Sequence, residues 1–419
     1  MRSFLADRFA NLHLGWHWPE ALRAMRHRNF RLYFFGQLVS LIGSWMQTTA
    51  QQWLVYRLTG SQLSLGLVTF AGFIPVLLLS LFMGVVVDRV SRRRLLLLTQ
   101  SWFLLLALAL AVLTFLGIVQ YRHIIVLALL FGIGNALDMP ARQAFNLDMV
   151  EHDDLFNAIA LNSSVFNGAR IIGPAIGGLV IASWGEGTAF GLNAVSFLAV
   201  IAGLLMMSLP PFQRPAQRDT GLGDLKRGLA YLVGDRQVLG LVTMVAAFSL
   251  IGFPYAVLLP VFAQDVLRIG VEGYGILLGA QGVGALAAAL SLAILGDRRP
   301  KGRLLWLSRW MLVAAVALLG FSRTTALSML ALALAGFALI SQLAVTNTLI
   351  QLAVPDDLRG RVLSAYTWAL GGFWPLGALL IGALGSWLGA GNAVLVSAGG
   401  CLVLTVVGTV VFPGVRELN

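Results

Sequence analysis

The sequence predicts an all-α membrane protein with twelve transmembrane helices in two six-helix pseudo-symmetric bundles, and three observations carry this expectation. Hydrophobic residues make up 58% of the 419 and charged residues only 11%, with a mean hydropathy of +0.84. A surface facing water on a chain of this size carries roughly 25% charge. The apolar residues fall in runs of roughly 20, the length at which a helix crosses ~30 Å of hydrocarbon with its backbone groups bonded internally. A barrel would instead show ~10-residue alternating segments. Third, the 29 lysines and arginines divide unevenly between alternate loops: 24 fall on one side, four on the other and one inside a span.

In chain order, residues 1–32 read as a cytoplasmic tail. They carry Arg2, Arg8, Arg23, Arg26, Arg28 and Arg31, with no continuous apolar core before Tyr33, and so lack the pattern of a cleavable signal. Trp16 to Phe30 has the composition of a short helix lying on the membrane surface, with a partly ordered tail as the alternative. Spans follow near 33–58, 61–87, 95–117, 123–143, 155–184 and 187–209, giving a first bundle over 33–210. The 211–237 segment, rich in Pro, Gly and charge, breaks the hydropathy pattern and reads as a cytoplasmic linker, with Leu222 to Val233 as an amphipathic stretch. Spans near 238–263, 273–295, 304–321, 326–352, 362–387 and 391–412 complete a second bundle over 238–412, leaving 413–419 as a tail. Arg57, Arg122, Arg268 and Arg323 are the cations of the sparse side, and Arg170 is the one inside a span. By the positive-inside rule both termini are cytoplasmic, in a bacterial plasma (inner) membrane crossed many times.

The halves repeat. Asp-Asp-Leu occurs at 153–155 and 356–358, and Ser-Trp at 183–184 and 386–387, both at an offset of 203; Asp88-Arg89 and Asp297-Arg298 are offset by 209. Each match stands at the same topological place, as a duplicated six-helix unit requires.

Several function classes are excluded. The one cysteine, Cys401, makes no internal disulfide or metal framework. The histidines (His13, His17, His27, His123, His152) fall in tails or loops, so no metal or cofactor is expected in the membrane. No Gly-x4-Gly-Lys-Ser/Thr loop is present for nucleotide-driven pumping, and no acid, His or Ser–His cluster points to a membrane enzyme. The formal charge of +11 reads as topology, with no nucleic acid implied.

The chemistry lies in a few charged and small-residue motifs. The loop after span 2 reads Gly84-Val-Val-Val-Asp88-Arg89-Val-Ser91-Arg92-Arg93-Arg94, with a worn copy at Gly296-Asp297-Arg298-Arg299-Pro300-Lys301. Gly84 allows close helix approach, and Asp88 at a helix end can accept from arginine or a facing helix N-terminus. The cluster reads as a latch between halves, or as a plain positive-inside anchor. Span 4 ends Ala136-Leu-Asp138-Met-Pro140-Ala-Arg142-Gln143; a carboxylate there needs a partner. Span 5 carries Asn167, Arg170, Gly173, Pro174, Gly177 and Gly178. The glycines suit close packing, against Gly279, Gly282 and Gly284 of span 8, and the proline suits a kink. Arg170 must face protein or water, as a substrate or gating contact or as a structural pair.

The span-2 loop resembles the Gly-x3-Asp-Arg-x-Gly-Arg signature of the major facilitator superfamily, with Ser91 in place of the usual glycine. Gly173-Pro174-x-x-Gly177-Gly178 is similar to that superfamily's exporter motif. Leu22-Arg-x3-His-Arg-Asn-Phe-Arg31, Trp45-Met-Gln47, Asp138-x-Pro-x-Arg-Gln-Ala-Phe145, Ala160-Leu-Asn-Ser163, Asn167-x2-Arg-Ile-Ile-Gly-Pro174 and Arg359-Gly-Arg-Val362 together resemble its enterobactin-exporter-like and drug-efflux-like branch. The resemblance implies the major facilitator fold and secondary active export of a small amphipathic molecule, siderophore or drug-like, by alternating access and proton antiport. It also implies a monomer, and a gating set of Gly84, Asp88, Arg89, Arg92, Asp138, Arg142, Asp297 and Arg298 in which Asp138 pairs with Arg92. Spans 1, 4, 7 and 10 would line a central cavity, where Gln47, Gln51, Asn167, Arg170, Gln281, Gln342, Asn347 and Trp368 are the candidate contacts. Trp53, Phe248, Phe253, Tyr255 and Trp374 would supply aromatic walls; interhelical bonding or interfacial anchoring are the plainer roles for any one of them. Span 1 holds no acid, so Asp138 is the main titratable candidate for coupling. An importer, or a non-transporting sensor of the same fold, are the alternatives.

Overall fold

A computed structural model describes residues 20–209, 230–295 and 300–418. Among these residues the regular structure is helical. A 3-10 helix, Glu20–Arg26, leads into α1 (Arg28–Thr59), α2 (Gln62–Arg89), α3 (Arg92–Phe115) and α4 (Tyr121–Met149). Leu155–Leu205 folds back at Gly185 and so forms two spans, α5 (155–184) and α6 (186–205). The second half runs through α7 (Arg236–Val266), α8 (Gly270–Leu295), α9 (Lys301–Phe321), α10 (Thr325–Ala353), α11 (Asp356–Leu388) and α12 (Ala390–Val411). Among the described residues ten helices are long and apolar enough to cross a membrane. The folded-back helix counts twice, and α1, diluted by its Ser, Thr and Gln residues, is the twelfth.

The turns follow from local chemistry. Gly60 closes α1 in the left-handed region (φ 58°), its N–H returning to the Tyr56 carbonyl, and Ser61 caps α2 by accepting from the Ser64 N–H. Gly185 (φ 80°, ψ 169°) and Gly389 (φ 80°, ψ 157°) adopt the same glycine-favouring conformation between α5 and α6 and between α11 and α12. The duplication is therefore present in backbone angles as well as in sequence. Just before these turns stand Trp184 and Trp387, 69% and 88% exposed, as suits anchors at a membrane interface.

Span 7 differs from the continuous helix expected over 238–263. Its regular part ends at Ile251, and the chain continues through a 3-10 turn at Pro254–Leu258 and a π turn at Phe262–Val266. Pro254 and Pro260 supply no N–H, and the Phe253 N–H reaches back five residues to the Phe248 carbonyl at 2.9 Å. Other boundaries shift modestly: α1 begins at Arg28, within the expected tail, and α4 runs on to Met149. Most of the expected linker, residues 210–229, lies outside the described residues.

The molecule has two ends: a terminal end carrying residues 20–26 and 413–418, and a turn end carrying Gly60, Gly185 and Gly389. The buried apolar core is continuous across both halves toward the turn end, where Leu54, Leu65 and Phe190 join Tyr255, Leu258 and Ala378. Toward the terminal end it is divided. One cluster (Phe30, Leu96, Phe145, Leu204) belongs to the first half, and another (Val238, Leu305, Leu349, Val362) to the second.

Candidate functional site

Two seams join the halves. On α2 and α11, Gly66 lies against the Ala378 backbone, the Leu63 N–H donates to Ser386 Oγ at 2.9 Å, and Phe73 stacks on Trp374 with ring centres 5.7 Å apart. On α5 and α8, a Cβ on Gly178 would stand 2.9 Å from Gly275 Cα, and one on Gly282 would stand 3.0 Å from Ile171 Cα. Side chains at these glycines would hold the backbones apart. Trp53 stacks on Tyr274 at 6.0 Å, and the Tyr56 hydroxyl donates to the Asp265 carboxylate, each linking α1 to the second half. Arg57 grips Glu186 at 2.8 and 3.3 Å beside it. Among the described residues the α2–α11 seam includes Gln62 against Gly382 and Gly385, and Leu77 against Gly372. Among the described residues at the terminal end, Arg92–Asp148 and Asn29–Ser208 join elements of the first half and Tyr231–Ala353 elements of the second.

The α5 glycines divide their work. Gly173 and Gly177 face α1, where a Cβ on Gly173 would meet Trp45 Cβ at 2.5 Å, while Gly178 alone of the three faces α8. On α8, Gly282 and Gly279 face α5, but Gly284 lies on the Ala333 backbone of α10, not on α5 as expected. Pro174 is accommodated without non-helical backbone; the break is at Gly185.

The expected pairing of Asp138 with Arg92 is corrected. Asp138, 2% exposed, accepts from Thr99 Oγ1 at 2.6 Å, from Gln100 Nε2 at 2.9 Å and from Arg142 one turn along its own helix. Arg142 also reaches Gln37 of α1. Arg92 instead bonds Asp148 at 2.6 Å, and Arg93 donates to the Leu205 carbonyl at 2.9 Å. Ten residues of helix separate Asp138 from Asp148, about 15 Å, so Arg92 at the start of α3 meets the shallower acid. Ser91 has φ −54° and ψ 118°, which any residue adopts, so this loop needs no glycine there. Gly84 and Asp88 fall on α2, but their surroundings, like Asp297 and Arg298 altogether, lie outside the described residues; Arg89 is exposed at the α2 terminus.

Sequence reasoning missed four acids: Asp148, Asp154, Glu186 and Asp265. Asp154, fully buried ahead of α5, holds Arg23 at 2.7 Å, Arg26 at 2.6 Å and His27 at 2.7 Å. The leading 3-10 helix is thereby strapped across the α4–α5 turn, and the Ala24 N–H adds a bond to Asn157. Burial acts to raise the Asp154 pKa, but the hydrogen bonds from His27 and Arg23 and the charges of Arg23 and Arg26 outweigh it and hold the carboxyl below its ordinary range.

The proposed cavity residues separate into distinct environments. Arg170 lies near the middle of α5, about 21–22 Å along the helix from either end. Its guanidinium stands over the Trp45 ring at 5.8 Å, within electrostatic reach of the Tyr255 hydroxyl. It has no ion pair among the described residues. Asn167, one turn away, donates to the Ser163 carbonyl; Gln51 is half-buried, and Trp368 is 46% exposed. Asn347 accepts from Gln351 on α10. Three residues are committed elsewhere: Gln47 accepts from Asn193 of α6, Gln281 donates to Tyr255, and Gln342 is turned to the Ser308 carbonyl of α9. The second half has a buried cation of its own on α9: Arg309 is 6% exposed, its guanidinium 5.9 Å from the Phe248 ring.

Residues 20–417 match the transmembrane secretion effector family. The chain is 29% identical over 357 residues to a staphyloferrin A transporter of Staphylococcus aureus, covering 84% of this chain and 88% of that one. It is 28% identical over 401 residues to the multidrug efflux pump Tap of Mycolicibacterium fortuitum (93% and 96% covered) and 26% identical over 396 residues to the enterobactin exporter EntS of Shigella flexneri (94% of each). Among solved structures it superposes on a bacterial homologue of the human lysosomal transporter Spinster with a TM-score of 0.71 at 13% identity, covering 93% and 95%.

Proposed function

Because the chain belongs to the transmembrane secretion effector family of the major facilitator superfamily, a family of membrane transporters and not of enzymes, we propose that it exports a small amphipathic molecule, siderophore or drug-like, from the cytoplasm by alternating access. The observation that carries this reading is the core that is continuous at one end and divided at the other. In this reading the two halves, which among the described residues share a core toward the turn end, enclose a space that opens toward the terminal end. Rocking about that joint would close the terminal end and open the turn end. The concentration of arginines at the terminal end favours placing that end in the cytoplasm, so this conformation would load substrate from inside.

Within the space, Arg170 and Asn167 offer one cation and one amide beside Trp45, a setting for an amphipathic ligand with an anionic or strongly polar group. Export against a gradient needs a coupled ion, and protons entering through the Asp138–Arg142–Gln37 network are the proposed drive. Protonating Asp138 would release Arg142 from its partner and change how α4 holds α1. Tyr56–Asp265 and the seam glycines would then form the outer gate.

The test is accumulation in an exporter-deficient host and uptake into inverted vesicles, comparing a siderophore panel with a drug panel. An Arg170→Gln protein that folds normally is expected to lose most transport of anionic compounds. Collapsing the pH gradient is expected to stop transport by the wild type. Transport that persists at full rate without the gradient would remove the proton from the mechanism.

A further inference from the structure

A second binding surface lies on the outside of the first half, away from the space between the halves. At the terminal end, α1 and α6 touch through their backbones: a Cβ on Gly36 would stand 3.0 Å from the Ala199 carbonyl oxygen, and one on Gly203 would stand 2.8 Å from the Leu32 carbonyl oxygen. With glycines at these two close approaches, the exposed Phe35, Val39 and Met206 stand as ridges on either side of the seam. The result is an open groove of about 560 Å³ with an apolar floor. Its mouth is cationic. Arg28 and Arg31 line it, and neither guanidinium has an ion pair or hydrogen bond among the described residues. Four other arginines of this end are engaged: Arg23 and Arg26 by Asp154, Arg92 by Asp148, and Arg93 by the Leu205 carbonyl.

The residue spacing makes the groove amphipathic along its length. Arg31, Phe35 and Val39 succeed one another at i, i+4 and i+8, so a charged mouth passes into an apolar channel within two helical turns, about 12 Å. Such a channel matches a molecule with an anionic head and a long alkyl chain lying parallel to the helices. We propose that this groove binds one anionic phospholipid, its phosphate on Arg28 and Arg31 and an acyl chain between Phe35, Val39 and Met206. Two unpaired guanidiniums present donors suited to phosphate oxygens, and a bilayer supplies the ligand at high local concentration. The site would bear on transport because α1 and α6 are the helices it bridges, and α1 carries both Gln37 and Tyr56.

The experiment uses the full chain, purified and delipidated in detergent. Thermal unfolding is followed with added dioleoylphosphatidylglycerol, dioleoylphosphatidylcholine or inorganic phosphate. The wild type should unfold several degrees higher with phosphatidylglycerol than with phosphatidylcholine and show no shift with phosphate alone. The R28Q/R31Q protein should lose the phosphatidylglycerol preference while matching the wild type in phosphatidylcholine, and R122Q, at the turn end, should keep it. Native mass spectrometry of the wild type from mixed micelles provides an arm free of variants, with preferential retention of one phosphatidylglycerol expected. Equal retention of both lipids, or an R28Q/R31Q protein with its preference intact, would overturn the proposal. A phosphate shift as large as the lipid's would replace the lipid with a free anion.

Discussion

Asp138 illustrates what a buried charge requires. It has four partners within reach of one carboxylate and its arginine, and three of them, Thr99, Gln100 and Arg142, donate directly. Removing the arginine leaves the acid buried with neutral donors only. Arg142→Gln is therefore expected to lower stability by about 3–5 kcal/mol. Arg92→Gln breaks a pair whose acid is 32% exposed and is expected to cost about 1 kcal/mol or less. Thermal unfolding of the two purified proteins reads the order directly; the reverse order would show that Asp138 leans on Arg92 after all. That Asp138 needs a partner was legible in the sequence, because an acid in an apolar run always does. Which partner was not, since the motif fixes separation along the chain and says nothing of axial level or of the direction each helix face points. Asp265 and Glu186 were invisible for a related reason. Each stands beside a turn, where an acid looks like an ordinary loop charge, and the available signal was the Tyr56-Arg57 pair at the sparsely charged end of α1.

The helices themselves were largely readable from run length and loop charge, down to the duplication. The departures have local causes. The sequence reads through span 7 because prolines are tolerated in membrane helices when neighbours satisfy the backbone, and only packing decides whether Pro254 and Pro260 bend the chain or break it. Similarly, the glycines of α5 read as one small-residue motif, yet rotation about the helix sends Gly173 and Gly177 to α1 and Gly178 to α8. Gly178→Leu should therefore force α5 away from α8 and depopulate this conformation. With the single native cysteine, Cys401, buried, a cysteine placed at Gln51 reports the change cleanly. Its labelling by an impermeant maleimide from the turn end is expected to rise in the Gly178→Leu background, and unchanged labelling would mean that the seam does not control access.

At the scale of the molecule, the described residues of the two bundles share one buried core toward the turn end, so under the proposed alternating access that shared region has to come apart. A disulfide between Leu63→Cys and Ser386→Cys, positions already in hydrogen-bond contact, should lock the turn end shut, abolish transport and release it on reduction. Full activity in the cross-linked protein would place the moving joint elsewhere. The turns at Gly185 and Gly389 carry a mechanical implication of their own. Each joins two membrane-length helices with no slack chain between them, so under the proposed alternating access α5 and α6 would swing as one stiff arm, as would α11 and α12. The 30 residues of α5 make a lever about 45 Å long. A rotation of about 13° at the fulcrum sweeps the free end about 10 Å at that length. In the proposed mechanism, small repacking beneath a glycine seam would thus be geared up into an aperture wide enough for a drug-sized molecule.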